Sequence, residues 1–197
     1  MASIVCRRQY LIPIKPGWYR LPDAAPAPTK PFTTFTPDNI DQPSGLVGPA
    51  GGGSRVGETS GTRAQIEAFV TDEAFGSENM VWHLNLLKFH EDGGEDTYMN
   101  YARAAGKRGG FLNQFGARST LANDCWPGGS ILGDHDFNRA IIAEYPCRDS
   151  YLSMGTDPEY IEASHFRHEA LEETYIVSCT PQQLVGEGRE SVRLAAE

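Results

Sequence analysis

Apolar positions along residues 62–181 recur with two different periods. Ile66, Phe69 and Val70 fall at i, i+3, i+4, the spacing of one helical face, and Gly76 supplies a stop, so a short helix is predicted from near Thr62. The run Met80-Val-Trp-His-Leu-Asn-Leu-Leu-Lys-Phe89 is rich in β-forming residues and predicts a first strand that ends in the acidic loop Glu91–Asp96. From Asp96 the positions Tyr98, Tyr101, Ala102, Ala105, Gly109, Leu112 and Phe115 step in threes and fours, which predicts one helix running to a Gly116 cap. Gly106, Gly109 and Gly110 weaken its middle by up to ~1 kcal/mol each. Small residues on such a face either admit another backbone or leave room for a ligand.

Strands are predicted at about 117–124 and 139–145, separated by a Pro/Gly-rich loop that holds Asp134, His135 and Asp136. Arg148 to Met154 reads as a helical turn. Asp157-Pro158-Glu159 combines an N-cap, a proline at the first helical position and an acid in the first turn, which predicts a second main helix to Glu173. Tyr175-Ile-Val-Ser-Cys179 closes the set as a last strand. The resulting β-α-β-β-α-β order is that of an α+β, ferredoxin-like domain.

The first 61 residues break this pattern. Nine of the thirteen prolines lie within residues 1–49, and Gly45, Gly48, Gly51, Gly52, Gly53, Gly57 and Gly61 follow, so no packed domain is expected there. Tyr10, Trp18, Tyr19, Phe32 and Phe35 are more aromatic than a linker needs. The first half of this arm is therefore expected to lie on the domain and its Gly-rich part to be mobile. The chain divides into an arm over 1–61, a domain over 62–181 and a tail over 182–197.

Charge sharpens the division: residues 1–61 hold six Lys/Arg against four Asp/Glu, and residues 62–197 hold eleven against twenty-two. A domain near −11 repels phosphate backbones and offers no basic, aromatic-interleaved patch, which argues against nucleic acid as a partner. No run approaches the ~18 apolar residues of a membrane span. Cys6, Cys125, Cys147 and Cys179 have no CxxC spacing, so reduced thiols are the default. Arg7, Arg8, Pro13 and Pro16 interrupt any secretory h-region, and a soluble cytoplasmic protein is expected.

Several side chains have the chemistry for a site. Alternation along the first strand puts His83 and Asn85 on the face shared by Val81, Leu87 and Phe89, where two polar groups need partners within the fold or from a ligand. Glu144 alternates with Ile142 and Ala140 as a candidate buried carboxylate. An ion pair with Arg167 or Arg139 would satisfy it, and burial without one would suit it to acid–base work. Tyr98 and Tyr101 belong to the apolar face of the first long helix, where a phenol at a cavity wall could hold a carbonyl or enolate oxygen. His165 and His168 sit three apart on one helix, but no further ligand stands nearby at metal-site spacing. Asp134-His135-Asp136 has the composition of a turn. No phosphate-binding glycine loop, GxSxG elbow or cysteine protease signature occurs, and no cofactor is called for.

Residues 62–181 resemble the DUF1330 family of the dimeric α+β barrel superfamily. The resemblance is carried in order by Val81-Trp-His-Leu-Asn-Leu-Leu-Lys-Phe89, by Tyr98 and Tyr101, by Ile142-Ala-Glu-Tyr-Pro146 with Arg148, by Asp157-Pro-Glu-Tyr160, and by Arg167-His-Glu-Ala-Leu171. It implies a homodimer in which two sheets pack into one barrel. The long arm departs from the family's short N-terminus, and His83 stands where an apolar residue is expected. Similar barrel cyclases place a histidine just after a PEY-like segment, which implies a base role for His165. The superfamily includes cofactor-independent cyclases, isomerases and quinone-forming monooxygenases, so the fold alone does not name a reaction.

The expectation is a cofactor-independent enzyme acting on a polyketide- or terpenoid-like molecule by cyclisation, isomerisation, elimination or pericyclic closure. His165 would be its base, with Asn85, Tyr101 or His83 on the oxygen that gains charge. Trp82, Tyr98, Glu144 and Arg167 complete the candidate substrate contacts. A cofactor-free monooxygenase of a phenol and a non-catalytic binding protein are the alternatives.

Overall fold

The computed structural model describes residues 25–40, 63–125 and 136–180. The Gly-rich stretch, residues 1–24 with Cys6, Asp134, His135 and the tail lie outside the described residues.

Helix α1 (Arg63–Thr71) buries Ile66 and Val70, as the spacing predicts, and a single 3-10 turn at Glu73–Phe75 leads to strand β1 (Val81–Phe89). Then come α2 (Gly94–Gly106), α3 (Phe111–Gln114), β2 (Arg118–Asp124), β3 (Arg139–Tyr145), α4 (Arg148–Gly155), α5 (Pro158–Ala170) and β4 (Leu171–Cys179). The strands form one antiparallel sheet in the order β2-β3-β1-β4. This order interleaves two β-α-β units, as in the ferredoxin-like arrangement. Helix α2 packs on α5, and both cover the sheet face to which Val81, His83, Asn85, Leu87 and Phe89 point. The α5 start is the predicted one: the Asp157 carboxylate accepts the Glu159 N–H at 3.0 Å and Pro158 follows as the first helical residue.

Two expectations change. The single helix to Gly116 is divided, because the chain reverses at Gly109, whose φ is +76°, and folds back over the end of α2. Any Cβ at Gly110 would stand 2.4 Å from the Ala104 carbonyl oxygen, so the close approach demands glycine. The second helix stops at Ala170, three residues short of Glu173. The Ala170 carbonyl accepts the His90 N–H at 3.0 Å and Leu171 already pairs with Phe89, so the sheet captures the chain earlier than its helical pattern suggests.

Residues 25–40 lie as a strap on the helical side. Phe35 and Ile40 are buried in the main core, Phe32 stacks on Phe115, and the Thr33 N–H donates to Ser153 Oγ at 2.8 Å. Lys30 pairs with Asp157. The aromatic anchors of the arm's described part thus act as the sequence suggests, and two of its residues are core.

Candidate functional site

A cavity of about 540 Å³ lies between the helix-covered face of the sheet and α2. Its floor is the alternating set on the strands: Asn85 of β1, then Ile141, Ala143 and Tyr145 of β3 and Ala122 of β2. Its roof is α2, where Tyr98, Tyr101 and Met99 project between Ala102, Ala105 and Gly106. The small residues leave space that longer side chains would fill, and this stripe borders the cavity. One wall is Arg167 of α5, and the rim holds Arg139 and Asp124.

The interior is rich in hydrogen-bond donors. Burial raises the Tyr98, Tyr101 and Tyr145 hydroxyls above the ordinary phenol range, and the nearby Arg167 charge only partly offsets it. A phenol is protonated at neutral pH even at its ordinary pKa, so these groups can donate. The rings of Tyr101 and Tyr160 meet edge to face with centroids 6.3 Å apart. Burial works against the Arg167 charge, but the surrounding tyrosine oxygens outweigh it and its pKa ends above the usual value. An Arg167 Nη2–H donates to Thr174 Oγ1 at 3.3 Å, which links α5 to β4. At the rim Arg139 bonds Asp124 at 2.9 Å and also Glu95, so an ion-pair network joins β2, β3 and the first turn of α2.

Of the candidates read from the sequence, Asn85, Tyr98, Tyr101 and Arg167 meet at this cavity. The Asn85 amide donates to the His83 carbonyl at 3.1 Å. His83 shares the Asn85 face but is sealed beneath Phe69, Tyr145 and Tyr151, and does not line the cavity. Burial pushes its pKa down to about 3, and its Nε2 has no hydrogen-bond partner among the described residues.

Three candidates lie elsewhere. His165 is exposed: α5 buries Tyr160, Ala163, Ser164, Arg167 and Ala170, and position 165 falls on the solvent side of that stripe, its Nδ1 against the Glu162 carbonyl. Glu144 is buried as expected, but it faces the opposite side of the sheet and pairs with Arg118 at 2.9 Å rather than with Arg167 or Arg139. Trp82, its cross-strand neighbour, is on that same open face. The sequence reading missed Tyr145, Ile141, Ala143 and Asp124 as lining residues; the alternation that sends Glu144 outward sends Ala143 and Tyr145 inward, and that signal was available. Among the described residues no group of three or more His, Cys, Asp or Glu could hold a metal ion.

No family model matches the chain, and no curated protein does. Solved structures do. A protein of unknown function from Rhodopseudomonas palustris is 24% identical with a TM-score of 0.55, covering 64% of this chain and 98% of its own. Its methylated form gives 24% identity and a TM-score of 0.50 over 61% and 90%. The chain has the ferredoxin-like fold. A dimeric protein of ferredoxin-like fold from Bacteroides fragilis is also similar, at 18% identity and a TM-score of 0.38 over 51% of this chain and 95% of its own. Among the described residues no helix is long and apolar enough to cross a membrane.

Proposed function

We propose that this chain is a cofactor-independent enzyme that binds a small, largely apolar carbonyl compound of polyketide or terpenoid kind and stabilises the negative charge developing on its oxygen. The observation that carries this reading is the convergence of Asn85 with three protonated phenols, Tyr98, Tyr101 and Tyr145, around one cavity of about 540 Å³. That volume is within the range of small-molecule sites, roughly 300–1,000 Å³, and a preorganised donor in a dry site is commonly worth ~10²-fold or more in rate. With His165 on the solvent side, catalysis rests on polarising the oxygen, and the carbon-bound proton leaves to solvent or buffer. Isomerisation or cyclisation through an enol fits this division of labour. The resemblance of residues 62–181 to DUF1330, whose superfamily includes cofactor-independent cyclases and isomerases, accords with the same class.

The face of the sheet away from the helices carries Trp82, Tyr175 and Val177, 37%, 40% and 48% exposed, beside Leu84 and Ile142. A second copy packed there, sheet against sheet, would cover an apolar surface of the kind that monomers seldom expose. The homodimer belongs to the proposal, as does residence in the cytoplasm, with which the free Cys125, Cys147 and Cys179 accord.

Proton–deuterium exchange in D₂O tests the chemistry. An enolisable ketone such as 2-tetralone should exchange its α-protons faster with the protein than in buffer, and Tyr98→Phe should lower the acceleration by ~10²-fold. Exchange no faster than buffer across a panel of apolar ketones would remove the catalytic reading.

A further inference from the structure

Arg139 and Arg167 line the cavity together with Asp124, inside a protein whose formal net charge is −9. The two arginines differ in their settings. Arg139 is at the rim and is held by Asp124 and Glu95, whose side chains are each 59% exposed. Arg167 is 5% exposed, in the interior, and shares the cavity wall with Tyr98, Tyr101 and Tyr145.

A guanidinium is a planar fork of five N–H donors that matches two oxygens sharing one negative charge, and it cannot discharge itself by losing a proton. Thr174 Oγ1 accepts one of these N–H groups in a long bond. The phenols of Tyr98, Tyr101 and Tyr145 line the same cavity and are protonated at neutral pH. The rest of the wall is neutral: Asn85 and Ser119 are uncharged, and Met99, Ala102, Leu112 and Ile141 are apolar, so none of them would bind a second charge.

We infer that the cavity takes a monoanionic oxygen acid with an apolar body, a carboxylate or the enolate of a 1,3-diketone, whose charged end is bound by Arg167. The inference rests on the cavity reading of the previous section and narrows its substrate to a compound already charged when it binds. The charged oxygens take the Arg167 fork, and the hydrocarbon body fills the space beside Ala102 and Ala105. The charge-assisted pair supplies orientation, and desolvation of the body supplies affinity.

The test uses the full-length protein and matched probes, 2-naphthoate against 2-naphthamide, with the enolate of 5-phenylcyclohexane-1,3-dione as a third arm, read by calorimetry and by thermal shift. The expected result is naphthoate or enolate binding at least ~10-fold tighter than the amide, with the stronger of the two anions naming the acid class. Arg167→Gln should abolish the preference for charge, and Arg103→Gln, on the exposed side of α2, should keep it. Should Arg167→Gln fail to fold, Ala102→Trp keeps the arginine, fills the cavity and should abolish anion binding. Equal binding of amide and anions, or an unchanged preference in Arg167→Gln, overturns the anion inference and leaves the cavity reading standing. No binding of any probe up to millimolar concentration overturns both, as does undiminished binding by Ala102→Trp.

Discussion

The ring of His83 meets the ring of Tyr151 edge to face, with centroids 4.1 Å apart, and this contact joins the middle of β1 to α4. Tyr145 and Phe69 close the remaining sides, at 5.0 and 6.0 Å. Aromatic contact replaces the water that an imidazole would otherwise keep. The cost is the Nε2 atom, buried without a partner among the described residues.

A pH dependence follows with a definite sign. His83 titrates near 6.5 in the unfolded chain and at about 3 in the folded one, so the unfolded state binds the extra proton between these values. Its contribution to stability is complete above pH 6.5 and is lost as pH falls towards 3, by about 1.4 kcal/mol for each pH unit in that window. His83→Leu should flatten this slope relative to wild type in urea titrations at pH 7 and pH 5, and should cost little at pH 7, since an unsatisfied buried group worth about 1–3 kcal/mol disappears. Identical slopes for the two proteins would show that His83 is not held neutral.

The strap makes a second prediction. Phe35 is 4% exposed, its N–H donates to Asp149 Oδ1 at 3.4 Å, and it belongs to the same core as Val81 and Phe111. Phe35→Ala should therefore lower unfolding stability by about 3–5 kcal/mol, the usual cost of emptying a buried phenylalanine site. A midpoint shift equivalent to less than about 1 kcal/mol would mean that residues 25–40 are not part of the folding unit.

The sequence was legible where a local signal and the tertiary structure agree. The β1 pattern and the Asp157-Pro158-Glu159 start gave element limits within a residue of those observed, and the β-α-β-β-α-β order gave the fold. The helix predicted through Gly110 failed because periodicity cannot reveal a close backbone approach. The early end of α5 depends on a pairing with Phe89 that no local feature announces. At the site, strand alternation placed Asn85, and the small-residue stripe of α2 marked available space. His165 was misplaced because its expected role came from likeness to other barrels, whereas the apolar positions Tyr160, Ala163 and Ala170 already defined a stripe that excludes it.

The open face of the sheet yields a third prediction. Val177 pairs with Leu84 across β4 and β1, and Trp82 lies one pair further along the same face. A charge there would be buried without compensation in a sheet-to-sheet dimer. Val177→Glu combined with Trp82→Glu should convert a particle of twice the chain mass into one of a single chain mass by light scattering, with the far-UV circular dichroism retained. A wild-type monomer at micromolar concentration, or a dimer that survives both changes, would place any assembly elsewhere.

The last prediction separates two residues of one helix, His165 and Arg167. A histidine acting as base must reach the reacting carbon's proton within about 3 Å or through one water. His165 is exposed, its ring lies 3.9 Å from that of Phe166 and its Nδ1 lies against the Glu162 carbonyl, so it has no path into the cavity. His165→Ala should leave ketone exchange within about twofold of wild type and should not move its pH profile, whereas a working general base contributes ~10²–10⁴-fold. Arg167→Gln should lower the same exchange, because the charge that the tyrosines surround would be gone. His168 sits between these cases: burial, then Arg167 and His165, lower its pKa to about 4, which keeps it neutral at pH 7. A His165→Ala protein that folds, binds the probes and yet loses exchange would return the imidazole to the mechanism and require the helix to turn its outer face inward.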